Sequence, residues 1–348
     1  MIPKADGSKR PLGISTIRDR VAQMAVKLVI EPIFEADFCD SSYGFRPKKS
    51  APDAVHDIGY GLNCGYTDVI DADVSQYFDS IPHAKLLAVV AERIVDGGIL
   101  HIIRMWLKAP VVGEDEDGTR RNIGGGKANT QGTPQGGVIS PLLANRYLHL
   151  LDRLWKPQDL QRRLEARLVR YADDQVILID GYRKWDWLAR AAYKRLLEEL
   201  TKLDVRINIE KTRIVDLTRD ESFSFLKFDL CRRKTWQGKW GVRITPRIKA
   251  RSALLSKLKE VFRRFVSQPV GRVIELINPI LRGWVNYFRV GHSSRCFSYV
   301  RDWVEKKIRR YLMRARNRKG FGWNRWSRGW MYQSLGLYSD YQVRYFRS

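Results

Sequence analysis

Tyr171-Ala172-Asp173-Asp174 decides how this chain is read. It stands between two apolar runs, Leu168-Val169 with Arg170 ahead of it and Gln175-Val176-Ile177-Leu178-Ile179 behind it. Two short β-prone runs around a tight polar pair predict a hairpin with carboxylates at its tip. Asp is an ordinary turn residue, and most Asp-Asp turns are solvated and inert. A second stretch upstream changes the reading: Val69-Ile70-Asp71-Ala72-Asp73-Val74. Strand alternation puts Ile70, Ala72 and Val74 on one face and Asp71 and Asp73 on the other. Asp73 falls at the strand's end, where a side chain can meet a hairpin tip. Hard cations such as Mg²⁺ take a few carboxylates plus substrate phosphates. Two such ions about 4 Å apart activate an attacking oxygen and stabilise a leaving one. Three carboxylates at two strand ends suit that job.

The totals narrow the partners. A chain of 348 residues, 44% hydrophobic, can bury a sizeable core and form two or three domains. Lys and Arg number 63 against 38 Asp and Glu, and the resulting +25 must face something anionic or repel itself. Nucleic acid comes first and an acidic membrane surface second. The 11 Trp and 15 Tyr favour nucleic acid, because flat rings stack on unpaired bases, and they argue against a disordered basic tail. Cys39, Cys64, Cys231 and Cys296 are too scattered for paired zinc-ligand spacing and read as reduced thiols of an intracellular protein. No signal peptide and no membrane-spanning run are legible.

In chain order, residues 2–14 read as a hairpin with a basic turn, Lys4 and Arg10 on opposite arms, placed to close over a triphosphate or simply solvated. Asp19 caps a helix whose apolar face is Val21, Ala25, Leu28 and Val29, and Pro32 ends or bends it. Ser41 to Pro47 is a loop in which core packing explains Phe45 as well as template contact does. A helix is expected over 51–62. Phe78, just after Asp73, either lies under an incoming sugar, where it excludes a 2′-hydroxyl, or is a buried ring at the start of a helix over 83–94. A helix near 99–107 and a polar Gly-rich segment over 113–126 follow, with the triple glycine at 124–126 reading as a flexible loop rather than a phosphate cradle. Gln131 to Asn145 is a loop running into a long helix, with Gln135 able to bond a nucleotide's sugar or phosphate. After an amphipathic helix over 185–200, a strand over 206–209 leads into Glu210-Lys211-Thr212. Lys211 is either a surface lysine or a proton donor to departing pyrophosphate. A β pair begins at 223–228 and ends near 242–244. Three amphipathic helices with basic outer faces come next, reading as a clamp for structured RNA. In the tail, Phe321-Gly322-Trp323-Asn324-Arg325-Trp326 suits either unpaired nucleotides or a small aromatic core.

Together these residues resemble a group II intron-encoded reverse transcriptase/maturase over nearly the whole chain. The specific matches are Asp73-Val74-Ser75-Gln76-Tyr77-Phe78-Asp79, Thr133-Pro134-Gln135-Gly136-Gly137, Tyr171-Ala172-Asp173-Asp174, Glu210-Lys211-Thr212 and Asn278-Pro279-Ile280-Leu281-Arg282-Gly283-Trp284. The resemblance implies an α+β fold: a right-hand polymerase with fingers and an antiparallel-sheet palm, followed by an α-helical thumb/maturase domain. Fingers are expected over 1–68, palm over 69–238 with a fingers insertion around 95–132, thumb over 239–315 and a basic aromatic tail over 316–348. It implies a metal set of Asp73, Val74, Asp173 and Asp174 holding two Mg²⁺, with Mn²⁺ a possible substitute. It places Lys211 in the catalytic set, Lys4 and Arg10 on the triphosphate, Phe78 at the sugar and Gln135 at the nucleotide.

The implied activity is RNA-directed DNA polymerisation, with intron RNA bound to assist splicing. The partners are an RNA template, intron RNA, a DNA primer or target and dNTPs, with no membrane, in a cytoplasmic bacterial ribonucleoprotein. Three departures from the pattern stand out. The chain starts inside the first fingers motif, so the usual N-terminal segment, which bears on template gripping and template switching, is expected to be absent. Lys227 stands where a Gly is usual in the primer-grip hairpin. No His- and Cys-rich endonuclease module follows the thumb, so DNA cleavage by this chain is not expected. The competing readings are an RNA-binding splicing cofactor with an idle polymerase site, and a related reverse transcriptase serving phage defence or CRISPR arrays. Phe78 argues against an RNA-templated RNA polymerase.

Overall fold

The computed structural model describes residues 2–3, 9–10, 13–114, 117, 119–134, 136–155, 166–182 and 186–344, with only the backbone at 2, 3, 9, 10, 114 and 186. These residues form an α+β structure with antiparallel sheets, in two compact units, Met1–Ala54 with Cys64–Asp216 and Val55–Asn63 with Leu217–Ser348.

The first unit is built on a four-stranded antiparallel sheet. Its strands are β3 (Asp68–Asp73), β6 (Ala166–Tyr171), β7 (Asp174–Ile179) and β8 (Arg213–Asp216), in the order β6-β7-β3-β8. Val69, Ile70 and Ala72 of β3 and residues 175–179 of β7 are buried, as central strands require. Helix α6 (Ser140–Leu154) is buried on nearly every face and, with α4 (His83–Ala91) and α5 (Gly97–Leu107), covers the sheet. Further helices are α1 (Ile17–Glu35), a single turn α3 (Tyr77–Ser80) and α7 (Asp186–Lys202). The helix α2 (Ala51–Asn63) straddles the division between units.

Several local expectations are corrected. Thr16, not Asp19, is the N-cap of α1, its hydroxyl accepting from the Asp19 N–H at 3.1 Å. The α1 stripe of Val21, Leu28 and Val29 faces solvent, with Val21 66% and Leu28 65% exposed, whereas Gln23, Ile30 and Phe34 are inside. Pro32 lies within the helix, which runs on to Glu35. Two strands that the sequence did not suggest, β4 (Val111–Glu114) and β5 (Arg120–Gly124), take up part of the Gly-rich segment, and Gly125 and Gly126 lie beyond β5. Residues 206–209 make a single bridge, Val74 to Ile207, rather than a strand. Of the expected basic hairpin, the two strands pair, β1 (Ile2–Pro3) against β2 (Lys9–Arg10), and the turn between them lies outside the described residues.

The second unit opens with β9 (Ser222–Phe225), β10 (Phe228–Lys234) and β11 (Trp240–Pro246), an antiparallel sheet with β10 in the middle. Three long helices follow: α8 (Ile248–Arg264), α9 (Val270–Tyr287) and α10 (Ser294–Arg314). Leu254, Leu258 and Phe262 recur at helical spacing and are buried, as are Val273, Ile277 and Leu281, and Val300, Val304 and Ile308. The aromatic tail supplies core. Trp326 is buried, its carbonyl accepts from Arg309 Nε at 3.1 Å, and the Arg309 guanidinium lies 4.3 Å from the centre of the Trp323 ring. Buried Glu305 accepts from Tyr332 Oη at 2.7 Å and from Arg328 Nε at 3.1 Å, tying α11 (Arg328–Gln333) to α10.

Candidate active site

The register of the central sheet brings the carboxylates together. Asp73, the last residue of β3, lies opposite Asp174, the first residue of β7, and Tyr171 of β6 pairs with Asp174 on the other side. Only Ala172 and Asp173 connect β6 to β7, so Asp173 sits in the tightest kind of hairpin loop. Ala172 has φ 56°, a left-handed conformation that costs a non-glycine residue roughly 1–2 kcal/mol. Something must hold it there.

That support is a buried polar network built on Arg170. Its side chain is fully buried and grips Asp152 with two bonds, Nε to Oδ1 at 2.7 Å and Nη2 to Oδ2 at 2.5 Å. Nη1 donates to the Ala172 carbonyl at 2.9 Å and to Asn145 Oδ1 at 3.0 Å, and Nη2 also donates to Ser42 Oγ at 2.7 Å. Asn145 and Asp152 lie two turns apart on one face of α6. Burial works against the Arg170 charge, but the Asp152 carboxylate holds its pKa above the ordinary arginine value. The Arg170 backbone N–H donates to Ser41 O and its carbonyl accepts from Tyr43 N–H, both at 2.8 Å. The next residue, Gly44, presses on the turn: a Cβ there would stand 2.3 Å from Ala172 N. Asn145 Nδ2 fixes the Gly44 carbonyl at 2.6 Å.

The end of β3 is held from its other side by the turn after α7. Asn208 N–H donates to Asp73 O at 2.8 Å, and Asp73 N–H to Thr212 Oγ1 at 3.3 Å. This turn carries Lys211, whose Nζ is 3.5 Å from Asp73 Oδ2. Both side chains are substantially solvated, so the pair is weak and free to exchange partners.

Phe78 is half-buried on the core and edge-on to Tyr77 at 5.6 Å. Its carbonyl accepts from the Thr133 N–H at 2.6 Å, and His83 Nε2 meets the Gly132 carbonyl at 2.6 Å. Gly132 and Thr133 are thereby fastened beside Phe78. Tyr77 is buried, its Oη donating to Ala144 O at 2.6 Å, and burial pushes its phenol pKa well above the ordinary value. Val74 follows Asp73 in the bridge to Ile207. Lys4 and Gln135 lie outside the described residues, and of Arg10 only the strand backbone is described. The structure therefore gathers Asp73, Val74, Asp173, Asp174, Lys211 and Phe78 within one unit.

Sequence reasoning missed the whole support: Arg170, Asp152, Asn145, Ser42 and Gly44. The one available signal was an arginine inside an apolar strand directly before the turn. It also left Phe45 open as core, whereas the ring is 53% exposed, 6.4 Å from that of Tyr171. Arg46 instead is structural, bonding Glu35 and the Cys39 and Ser42 carbonyls.

Among the described residues no three His, Cys, Asp or Glu side chains stand close enough to hold a metal ion on their own. The donor set is nonetheless hard carboxylate oxygen at an open strand end, which fits a cation that takes the rest of its shell from substrate phosphates.

The reverse transcriptase (RNA-dependent DNA polymerase) family model matches residues 2–230, and the group II intron maturase-specific domain matches residues 251–329. This chain belongs to the group II intron reverse transcriptase/maturase family. Its reverse transcriptase part ends within β10, and its maturase part spans α8, α9, α10 and the start of α11. The reverse transcriptase/maturase is similar to Protein YkfC of Escherichia coli, at 34% identity over 72% of this chain and 71% of that protein. It is 27% identical to an uncharacterized 91 kDa protein in the cob intron of Schizosaccharomyces pombe. It is 26% identical to the group II intron-encoded protein LtrA of Lactococcus lactis. Each of those two alignments covers 86% of this chain, but only 44% of the cob intron protein and 61% of LtrA, less than two thirds of either. The family carries RNA-directed DNA polymerase activity and binds RNA and DNA. No described helix is long and apolar enough to cross a membrane.

Proposed function

We propose that this chain extends a DNA primer on an RNA template with dNTPs at the strand end formed by Asp73, Asp173 and Asp174, and binds intron RNA to assist splicing. The observation that carries the reading is the register that sets Asp73 opposite Asp174 with Asp173 in the adjoining two-residue turn. Asp73, Asp173 and Asp174, with Val74 alongside, would hold two Mg²⁺, or Mn²⁺ in substitution. When bound, such ions activate the primer 3′-hydroxyl and neutralise phosphate charge.

The chain's own residues do the positioning. The Arg170 network keeps the turn in one conformation, so the carboxylates meet the substrate already oriented. Lys211, weakly paired with Asp73, is placed to turn toward departing pyrophosphate and give it a proton. Phe78, held by Thr133, would lie under the incoming sugar and exclude a 2′-hydroxyl. Gln135 would contact the nucleotide, and Lys4 and Arg10 the triphosphate. In this reading fingers occupy 1–68, palm 69–238 with an insertion around 95–132, thumb 239–315 and tail 316–348. The setting is a cytoplasmic bacterial ribonucleoprotein with the intron.

The test is extension of a DNA primer annealed to RNA, with and without Mg²⁺. The wild-type chain is expected to extend in Mg²⁺, while Asp173→Asn gives no product and binds template–primer as before. Wild-type protein that binds intron RNA tightly but never extends would hand the site to the splicing-cofactor reading. Phe78→Ala is expected to admit ribonucleotides, and unchanged sugar selection would remove Phe78 from that role.

A further inference from the structure

A basic concavity of the second unit has no part in the reaction described above. It measures about 450 Å³ and lies between the β10–β11 hairpin and the loop joining α9 to α10. Arg233, Lys234, Arg243 and Arg295 line it, and no Asp or Glu does. Asp220 pairs with Arg233 at 2.8 Å, but both are half-exposed, and such a pair offsets little of the charge in water.

His292, in the same lining, is fixed as a donor. Its Nδ1 accepts from the Ile244 N–H at 3.3 Å, and its backbone N–H donates to the Ile244 carbonyl at 2.7 Å. With Nδ1 accepting, the ring proton is on Nε2. Burial, and then the charge of Arg243, hold this imidazole below its ordinary pKa, which favours the neutral ring. Gly291 makes the arrangement possible. Its φ is +70°, and a Cβ there would stand 2.7 Å from Ile244 O, so the loop lies hard against β11.

At the hairpin tip, Trp236 is 93% exposed. The other indole of the hairpin, Trp240, has Arg232 and Lys234 each 5.3 Å from its ring centre. Cations converging on a small pocket with a neutral donor suit a phosphate, and a solvent-facing indole at the mouth suits a base. The volume is that of a small-ligand site, too small for a duplex.

We propose that this pocket binds one unpaired nucleotide of a single strand, its phosphate held by Arg233, Arg243, Arg295 and His292 and its base stacked on Trp236. The site stands on the second unit alone and does not depend on the polymerase reading.

The test uses the full chain, first saturated with an RNA–DNA template–primer duplex to fill other nucleic-acid sites. A fluorescent RNA decamer containing 5-iodouridine is then bound, followed by anisotropy at several salt concentrations, and photo-crosslinked. The expected adduct is on Trp236. Trp236→Ala is expected to weaken binding about tenfold with the salt slope unchanged, and Trp236→Phe to restore most of it. Arg243→Ala with Arg295→Ala should weaken binding and flatten the slope by about 1–2. All variants should melt with wild-type cooperativity and extend a short primer normally, while Asp173→Asn should keep the Trp236 adduct. An equal DNA decamer reports whether the 2′-hydroxyl matters, and equal binding keeps the proposal. Adducts only elsewhere, unchanged affinity in the arginine variant, or equal competition by a polyglutamate peptide would overturn it.

Discussion

Two hairpin turns in this chain solve the same backbone problem differently. Both are two-residue turns without glycine, Ala172-Asp173 between β6 and β7 and Leu226-Lys227 between β9 and β10. Both adopt left-handed backbone, with φ 56° at Ala172, 46° at Leu226 and 69° at Lys227. The first is held from beneath by a buried ion pair, a side-chain amide and a glycine in contact. The second is held at its rim: Tyr287 Oη donates to Leu226 O at 2.9 Å, Arg247 N–H to Lys227 O at 2.9 Å, and the Lys227 ammonium sits 5.8 Å from the Tyr287 ring centre. Strain persists where the surroundings over-determine it. The buried support belongs to the turn that carries Asp173, for which a catalytic role is proposed, and the lighter one to the turn that carries Lys227.

The largest effect is expected from Arg170→Met. It strands the Asp152 carboxylate in the core and should cost about 3–5 kcal/mol in urea denaturation, with extension abolished. Adding Asp152→Leu should recover most of the stability and little of the extension, because the bond to Ala172 O is still missing. Full recovery of extension would show that the network is only a fold element. Gly44→Ala comes next. The added methyl must displace the turn, and extension should fall about a hundredfold for a smaller loss of stability, about 1–3 kcal/mol by thermal melting. Tyr287→Phe removes one donor from the second turn and should cost about 1 kcal/mol, leaving single-nucleotide addition intact. Lys227→Gly is the smallest, a gain of about 0.5–1 kcal/mol in the denaturation midpoint as left-handed strain is relieved. A loss there would mean that the contact with Tyr287 outweighs the strain.

The carboxylate geometry was legible because strand alternation and turn length fix it locally. Asp73 ends one strand and Asp174 begins another, and only the pairing of the two strands had to be supplied by the family resemblance. The Arg170 network was not legible, since its partners at 42, 44, 145 and 152 are brought together by tertiary packing alone. In α1 apolar periodicity misled, because the buried positions are Gln23, Ile30 and Phe34, whereas Val21 and Leu28 face water. The β4–β5 hairpin escaped notice because β5 is exposed throughout and polar, so no apolar alternation marks it. For Trp326 the structure selects the aromatic core from two readings the sequence left equal.

The position of β3 has a consequence for biosynthesis. It is the first strand of its sheet to be made, yet it lies between β7 and β8, both encoded far downstream. While the ribosome is still translating the middle of the chain, this strand, apolar mainly on one face, has neither neighbour, and such unsatisfied edges are where nascent chains clump. Polypeptide stalled before Arg213 should be held by chaperones or degraded, and one released after Asp216 should be able to close its sheet.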